Sequence, residues 1–199
     1  MFINLSRFIH VCIKVNTLKS LKYLCSSLLR NFRKRNEKRL RHLKNELIKE
    51  ATLKSSKLYF EIAVIAYVLS KITSKPRLMS KEYGNDLRRI EKALRELLNK
   101  MGRTDDATLL RIIKEIEKEI KTLEKVDRRF IRDLISKGRL KMAATMYAQG
   151  VSLGVASELS GIEKQDIQDY AGNTMMFDRV KEEVSIGERL KKAKKILGG

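Results

Sequence analysis

Apolar residues recur at helical spacing along nearly the whole chain. Leu18, Leu21, Cys25, Leu28 and Phe32, followed by Leu40, Leu43 and Leu47, approach a heptad with one slip around Asn36, which predicts one long N-terminal helix. The segment Leu58 to Leu69 is apolar all round, with Tyr59, Phe60, Ile62, Val64, Ile65, Tyr67 and Val68, and only Glu61 interrupts it. A helix of that kind is buried, so this one is the expected core helix; a bilayer span takes about 20 apolar residues, which it lacks. Ser74-Lys75-Pro76 ends it, because a residue before proline avoids the helical region.

Two further seams follow: Leu87, Ile90, Leu94, Leu97 and Met101, then Leu109, Ile113, Ile116, Ile120 and Leu123. Between them Gly102 suits a helix end, Thr104 a helix start, and Asp105 and Asp106 the positive end of the next helix, so the pair reads as an antiparallel helical hairpin. Its polar positions, among them Lys114, Glu115, Glu117, Lys118, Glu119 and Lys121, read as solvated, salt-bridged surface. A helix over Val126 to Ile135 turns Phe130, Ile131 and Leu134 inward, and Ser136-Lys137-Gly138 closes it. No alternating strand pattern bounded by turn residues occurs, and the fold class predicted is all-α.

From Leu140 the pattern shortens. A helix over Leu140 to Ala148 ends at Gln149-Gly150. Ser152 is placed to cap a short helix carrying Val155, Ala156 and Leu159, Gly161 supplies a turn, and Glu163 to Tyr170 forms another helix with Ile167 and Tyr170 inward. The run Met142 to Tyr170 resembles the helix-turn-helix unit of prokaryotic and archaeal DNA-binding regulators and antitoxins, over roughly thirty residues, the length of one such motif. The resemblance implies that the last of these helices enters the major groove, with Lys164, Gln165 and Gln168 reading base edges and glutamine pairing with adenine. It also implies a homodimer, formed through the Leu18 to Leu47 seam or the hairpin, and a toxin as protein partner of an antitoxin. Ser157 and Ser160 occupy positions where that family has apolar residues, and Glu163, Asp166 and Asp169 accompany Lys164 on the reading helix.

Charge changes the picture. The formal net charge of +20 calls for an anionic partner. Residues 1–50 hold 13 Lys and Arg against 3 Glu, whereas residues 126–175 hold 7 against 6 acidic residues. The grip on phosphates is therefore expected outside the helix-turn-helix segment. Arg33, Lys34, Arg35, Lys38, Arg39 and Arg41, with Glu37 nearly alone among them, are the first candidates; Arg128, Arg129 and Arg132 are the second. The C-terminal run Lys191, Lys192, Lys194 and Lys195 adds a basic tail.

Other chemistry is sparse. Cys12 and Cys25 lack zinc spacing and read as buried or idle thiols of a reducing cytoplasm, and His10 and His42 have no carboxylate or serine constellation. No catalytic residue, metal ligand or cofactor site is expected. Met1 to Val15 mixes apolar residues with Arg7, His10 and Lys14 and lacks a signal-peptide pattern; a packed terminal helix, or a start codon set too early, is expected ahead of an amphipathic helix on a membrane surface. The organisation expected is a basic N-terminal helical region over 1–56, a helical core with the hairpin over 57–125, a helix-turn-helix domain over 126–175 and a basic helix or tail over 176–199. The function expected is a DNA-binding regulator or antitoxin without a membrane partner. The alternative is a helical adaptor that binds a protein, or RNA through its basic helix.

Overall fold

The structure is a computed structural model that describes residues 21–126 and 133–179. Every element among these residues is helical and none is a strand, as the periodicity requires. None of the described helices is long and apolar enough to cross a membrane.

The long N-terminal helix expected from Leu18 to Leu47 is instead two helices, α1 (21–33) and α2 (Glu37–Lys54). Arg35 takes the left-handed conformation at φ 53°, and Asn36 caps α2 by accepting from the Arg39 amide at 3.0 Å. An asparagine side chain that satisfies an orphan amide favours a helix start over a helix interior, so the slip in the heptad becomes an elbow. Glu37, in the first turn of α2, suits the positive end of the helix.

Ser55, left-handed at φ 46°, turns α2 directly into α3 (Lys57–Thr73), against which α2 packs along its length. Fourteen of the 17 residues of α3 are buried, so it is the central helix, as its uniform apolarity predicts. It touches α2, α5, α6 and α7. Pro76 then opens a short 3-10 turn, Pro76–Met79, and a second, Lys81–Tyr83, leads into α4 (Gly84–Lys100). Gly102, at φ 81°, reverses the chain into α5 (Asp106–Val126), which packs on α4 and is held there by Arg89 Nε to Glu119 Oε2 at 3.0 Å. The cap of α5 is Asp105, whose Oδ1 accepts from the Thr108 amide at 3.1 Å; Thr104, expected in that role, donates backwards to the Lys100 carbonyl.

After residues 127–132, which lie outside the described residues, comes α6 (Leu134–Ala148). Ser136-Lys137-Gly138 lies inside this helix and does not close one. The glycine is there for packing. A Cβ on Gly138 would sit 3.0 Å from Tyr67 Cδ1 and 3.4 Å from Val64 Cγ1, so the missing side chain lets α6 lie close on α3. The remaining helices are α7 (Leu153–Ser160), α8 (Lys164–Asn173) and α9 (Met176–Arg179). Helices α6, α7 and α8 pack on one another, and α6 and α7 also rest on α3. A single apolar core runs from Leu21 in α1 to Met176 in α9.

One polar cluster sits within that core. Glu61 of α3 and Glu117 of α5 are both buried and converge on Arg139 of α6. Arg139 donates to Glu61 Oε1 at 2.7 Å and to Glu117 Oε1 at 2.5 Å, and Lys114 Nζ reaches the other Glu117 oxygen at 3.2 Å. Burial opposes the charge of Arg139, but its bonds to Glu61 and Glu117 outweigh that and hold its pKa above the ordinary value. Glu117 was expected on the solvated face of the hairpin. It lies in the interior because α6 covers that part of α5 and supplies the cation a buried carboxylate requires.

Candidate nucleic-acid interface

The basic stretch predicted to meet phosphate folds into the elbow between α1 and α2, and the fold divides its cations into two sets. Arg33 pairs with Glu91 of α4 at 3.0 Å, Arg39 with Glu46 at 3.6 Å, and Arg41 with Glu37 one turn before it. Arg39 also lies 3.3 Å from His42 Nδ1, and that nitrogen is itself 2.6 Å from Glu46. Lys34, Arg35 and Lys38 are exposed, and no described carboxylate lies within ion-pair distance of any of them. The left-handed turn at Arg35 sets Lys34 and Arg35 at the bend and Lys38 in the first turn of α2. Solvent-exposed ion pairs such as Arg41 with Glu37 contribute only about 0–1 kcal/mol, so an incoming phosphate can replace the carboxylate at small cost.

The second predicted set lies on α8. Ser152 Oγ accepts from the Val155 amide at 3.3 Å and so starts α7, and Gly161, at φ 69°, ends it. Between α7 and α8 the two serines hold the turn. Ser160 Oγ donates to the Ala156 carbonyl at 2.6 Å and accepts from the Ile162 amide at 3.2 Å; Ser157 Oγ donates to the Ile162 carbonyl at 2.7 Å. Hydroxyls that bind backbone groups in this way take the place of apolar packing at positions that looked out of pattern in the sequence. Ala156, Leu159, Ile167 and Ala171 face inward, while Lys164, Gln165 and Gln168 are exposed. Gln165 donates from Nε2 to Asp169 Oδ1 at 2.8 Å, one turn along the same face. Arg128, Arg129 and Arg132 lie outside the described residues.

The sequence pattern passed over a third group of cations. Lys71 of α3 and Lys141 of α6 both lie over the Tyr67 ring, with Nζ 5.7 Å and 5.6 Å from its centroid. Lys44 of α2 is half-buried and within electrostatic reach of both. Burial first, and then repulsion from Lys141, Arg41 and Lys71, lowers its pKa from 10.5 to about 8. The three lysines come from three separate helices, so only the packing of α2, α3 and α6 brings them together, and no spacing within the chain announces them.

Cys25, the described cysteine, is buried in α1, and burial lifts its thiol to about 12, so it is a core group. Among the described residues no three His, Cys, Asp or Glu side chains gather as a metal site. No protein-family model, no curated protein and no solved structure matches this chain.

Proposed function

We propose that this chain is a nucleic-acid-binding protein, and that its preferred partner is DNA read by a helix-turn-helix unit made of α6, α7 and α8, as in transcriptional regulators and antitoxins. The observation that carries the reading is the α1–α2 elbow: Lys34, Arg35 and Lys38 are exposed there, with no described carboxylate in ion-pair reach, in a chain of net charge +20. Phosphate contacts from the elbow would position the duplex, and Lys164, Gln165 and Gln168 on the exposed face of α8 would meet base edges. Gln165 must leave Asp169 to do so, which ties base contact to the loss of one exposed hydrogen bond.

A second reading rests on α8 itself. Glu163, Asp166 and Asp169 are exposed beside Lys164, and a face of that charge suits a basic protein partner better than phosphates. In that reading the elbow holds RNA by charge alone, and the protein is an adaptor.

The test is binding of the purified protein to random duplex DNA, to DNA from its own promoter and to structured RNA, each across a salt series. The regulator reading expects a promoter preference that survives moderate salt. Gln165→Ala should relax that preference, while Arg35→Ala and Arg39→Ala should weaken all sequences alike and reduce the salt slope by about one each. An equal loss on every sequence for Gln165→Ala would sink base readout. Binding to RNA without any preferred duplex favours the adaptor.

A further inference from the structure

We propose that the outer face of α4, which carries Arg88, Lys92 and Arg95, continues the α1–α2 elbow as one basic surface that takes the sugar-phosphate backbone of a DNA duplex. The three cations stand four and three residues apart, so they lie along one side of the helix. That side is opposite the buried one, where Ile90, Ala93, Leu94 and Leu97 meet the core, and all three cations are exposed. At a rise of about 1.5 Å per residue the row spans about 10 Å, an axial length over which one DNA strand carries about three phosphates. Glu91 fastens this row to the elbow. Its Oε2 lies 3.0 Å from Arg33 Nε at the end of α1 and 3.5 Å from the Arg95 guanidinium on α4, so one oxygen joins the two elements.

The charge along this face is not cancelled within the fold. Arg88 donates to the neutral Asn85 Oδ1 at 2.5 Å, and no described carboxylate lies within ion-pair distance of Arg88 or Lys92. Glu91 faces two guanidinium groups and balances one of them. Asp86 is held by Arg89, which also reaches Glu119 of α5. Glu96, the remaining carboxylate of α4, is exposed at the edge of the row, four residues past Lys92. The absence of an apolar centre then decides between partners. Among the described residues the large exposed apolar side chains are Tyr23, Leu53, Met175 and Phe177, and none of them stands in the elbow or on α4. A protein interface buries apolar or aromatic anchors at its centre, whereas a nucleic-acid backbone is held by cations and needs none. Cations fixed on two joined elements, with nothing apolar between them, suit a row of phosphates better than an acidic protein.

This surface rests on the nucleic-acid reading and adds to it a phosphate contact beyond the elbow. The full-length protein is titrated with random-sequence duplex DNA across a salt series, with structured RNA alongside. Arg88→Gln combined with Lys92→Gln should lower the salt slope for duplex DNA by about two and weaken every sequence alike. The same charge change on α5, Arg111→Gln with Lys121→Gln, is the control and should move the slope far less. An equal loss from the control would mean that net charge alone acts, and overturns the surface. A labelling arm needs no variant: in amine acetylation read by mass spectrometry, saturating duplex DNA should shield Lys92 several-fold and leave Lys121 reactive. Lys92 equally reactive with and without DNA overturns the surface. DNA binding that falls in Arg35→Ala but not in the α4 pair keeps the function proposed above and removes this surface. An α4-dependent slope without any promoter preference keeps the surface and removes base readout by α8. A slope that falls on RNA alone overturns DNA as the occupant, and absence of binding to either nucleic acid overturns surface and function together.

Discussion

At Glu61, α3 meets Arg139 from α6, and with them Glu117 and Lys114 from α5, so that two carboxylates face two cations. Less than two turns further along the same helix, Tyr67 and Lys71 of α3 meet Lys141 of α6, and every charge that acts on Lys44 of α2 is positive. Both clusters join α3 to α6, and both take charge partly out of water. Their chemistry differs in what is already inside the chain. The first has its counter-ions among its own residues and is complete as folded. In the second, burial and the charges of Lys141, Arg41 and Lys71 all oppose the protonation of Lys44, so the fold holds this lysine at a cost.

The matched cluster should respond most to substitution. Arg139→Met would leave Glu61 and Glu117 buried without their cation, and removal of one partner from a buried ionic group costs about 3–5 kcal/mol. Denaturant unfolding should register a loss of that size; a loss under about 1 kcal/mol would mean that the two clusters do not differ in kind. At the unmatched end the sign reverses. The pKa of Lys44 is lower in the folded protein, about 8, than in the unfolded chain, 10.5, so between these values the unfolded chain binds more protons. Stability therefore rises with pH through that window, by up to about 2 kcal/mol once solvent screening is allowed for. In Lys44→Gln that rise should be missing, and the variant should be the more stable protein at pH 7 in phosphate-free buffer. A pH series of unfolding curves on both proteins decides it. The smallest effect belongs to Lys114→Gln. Lys114 pairs with Glu117 from the solvent side and is largely exposed, so its loss should cost below about 0.5 kcal/mol, which confines the weight of the matched cluster to Arg139.

How much of this was legible in the sequence depends on the distance a signal had to travel. The central helix was plain, since Leu58 to Leu69 is apolar on every side, but Glu61 stood in it only as an interruption whose partner was not in view. That partner, Arg139, stands 78 residues later and carries no local mark. The elbow was present as a slip in the heptad at Asn36, and the cap chemistry of asparagine decided that the slip would break the helix. Gly138 misled because glycine commonly ends helices, whereas here it admits Tyr67. The elbow cations were visible as a run, although their division into paired and exposed sets required Glu91, which another helix supplies. Lys44, Lys71 and Lys141 were beyond reach, since each is an ordinary lysine on its own helix, and only the packing of α2, α3 and α6 gives Lys44 its burial and its cationic neighbours.

The burial of α3 also dictates an order of events during synthesis. Its surface is closed by α2, which precedes it, and by α5, α6 and α7, the last of which ends at Ser160. At translation rates of about 5–20 residues per second, the roughly ninety residues between the end of α3 and the end of α7 take about 5–20 s to emerge. For that interval the nascent chain carries an apolar helix covered on one side alone. A truncation upstream of α6 should therefore be an aggregating fragment.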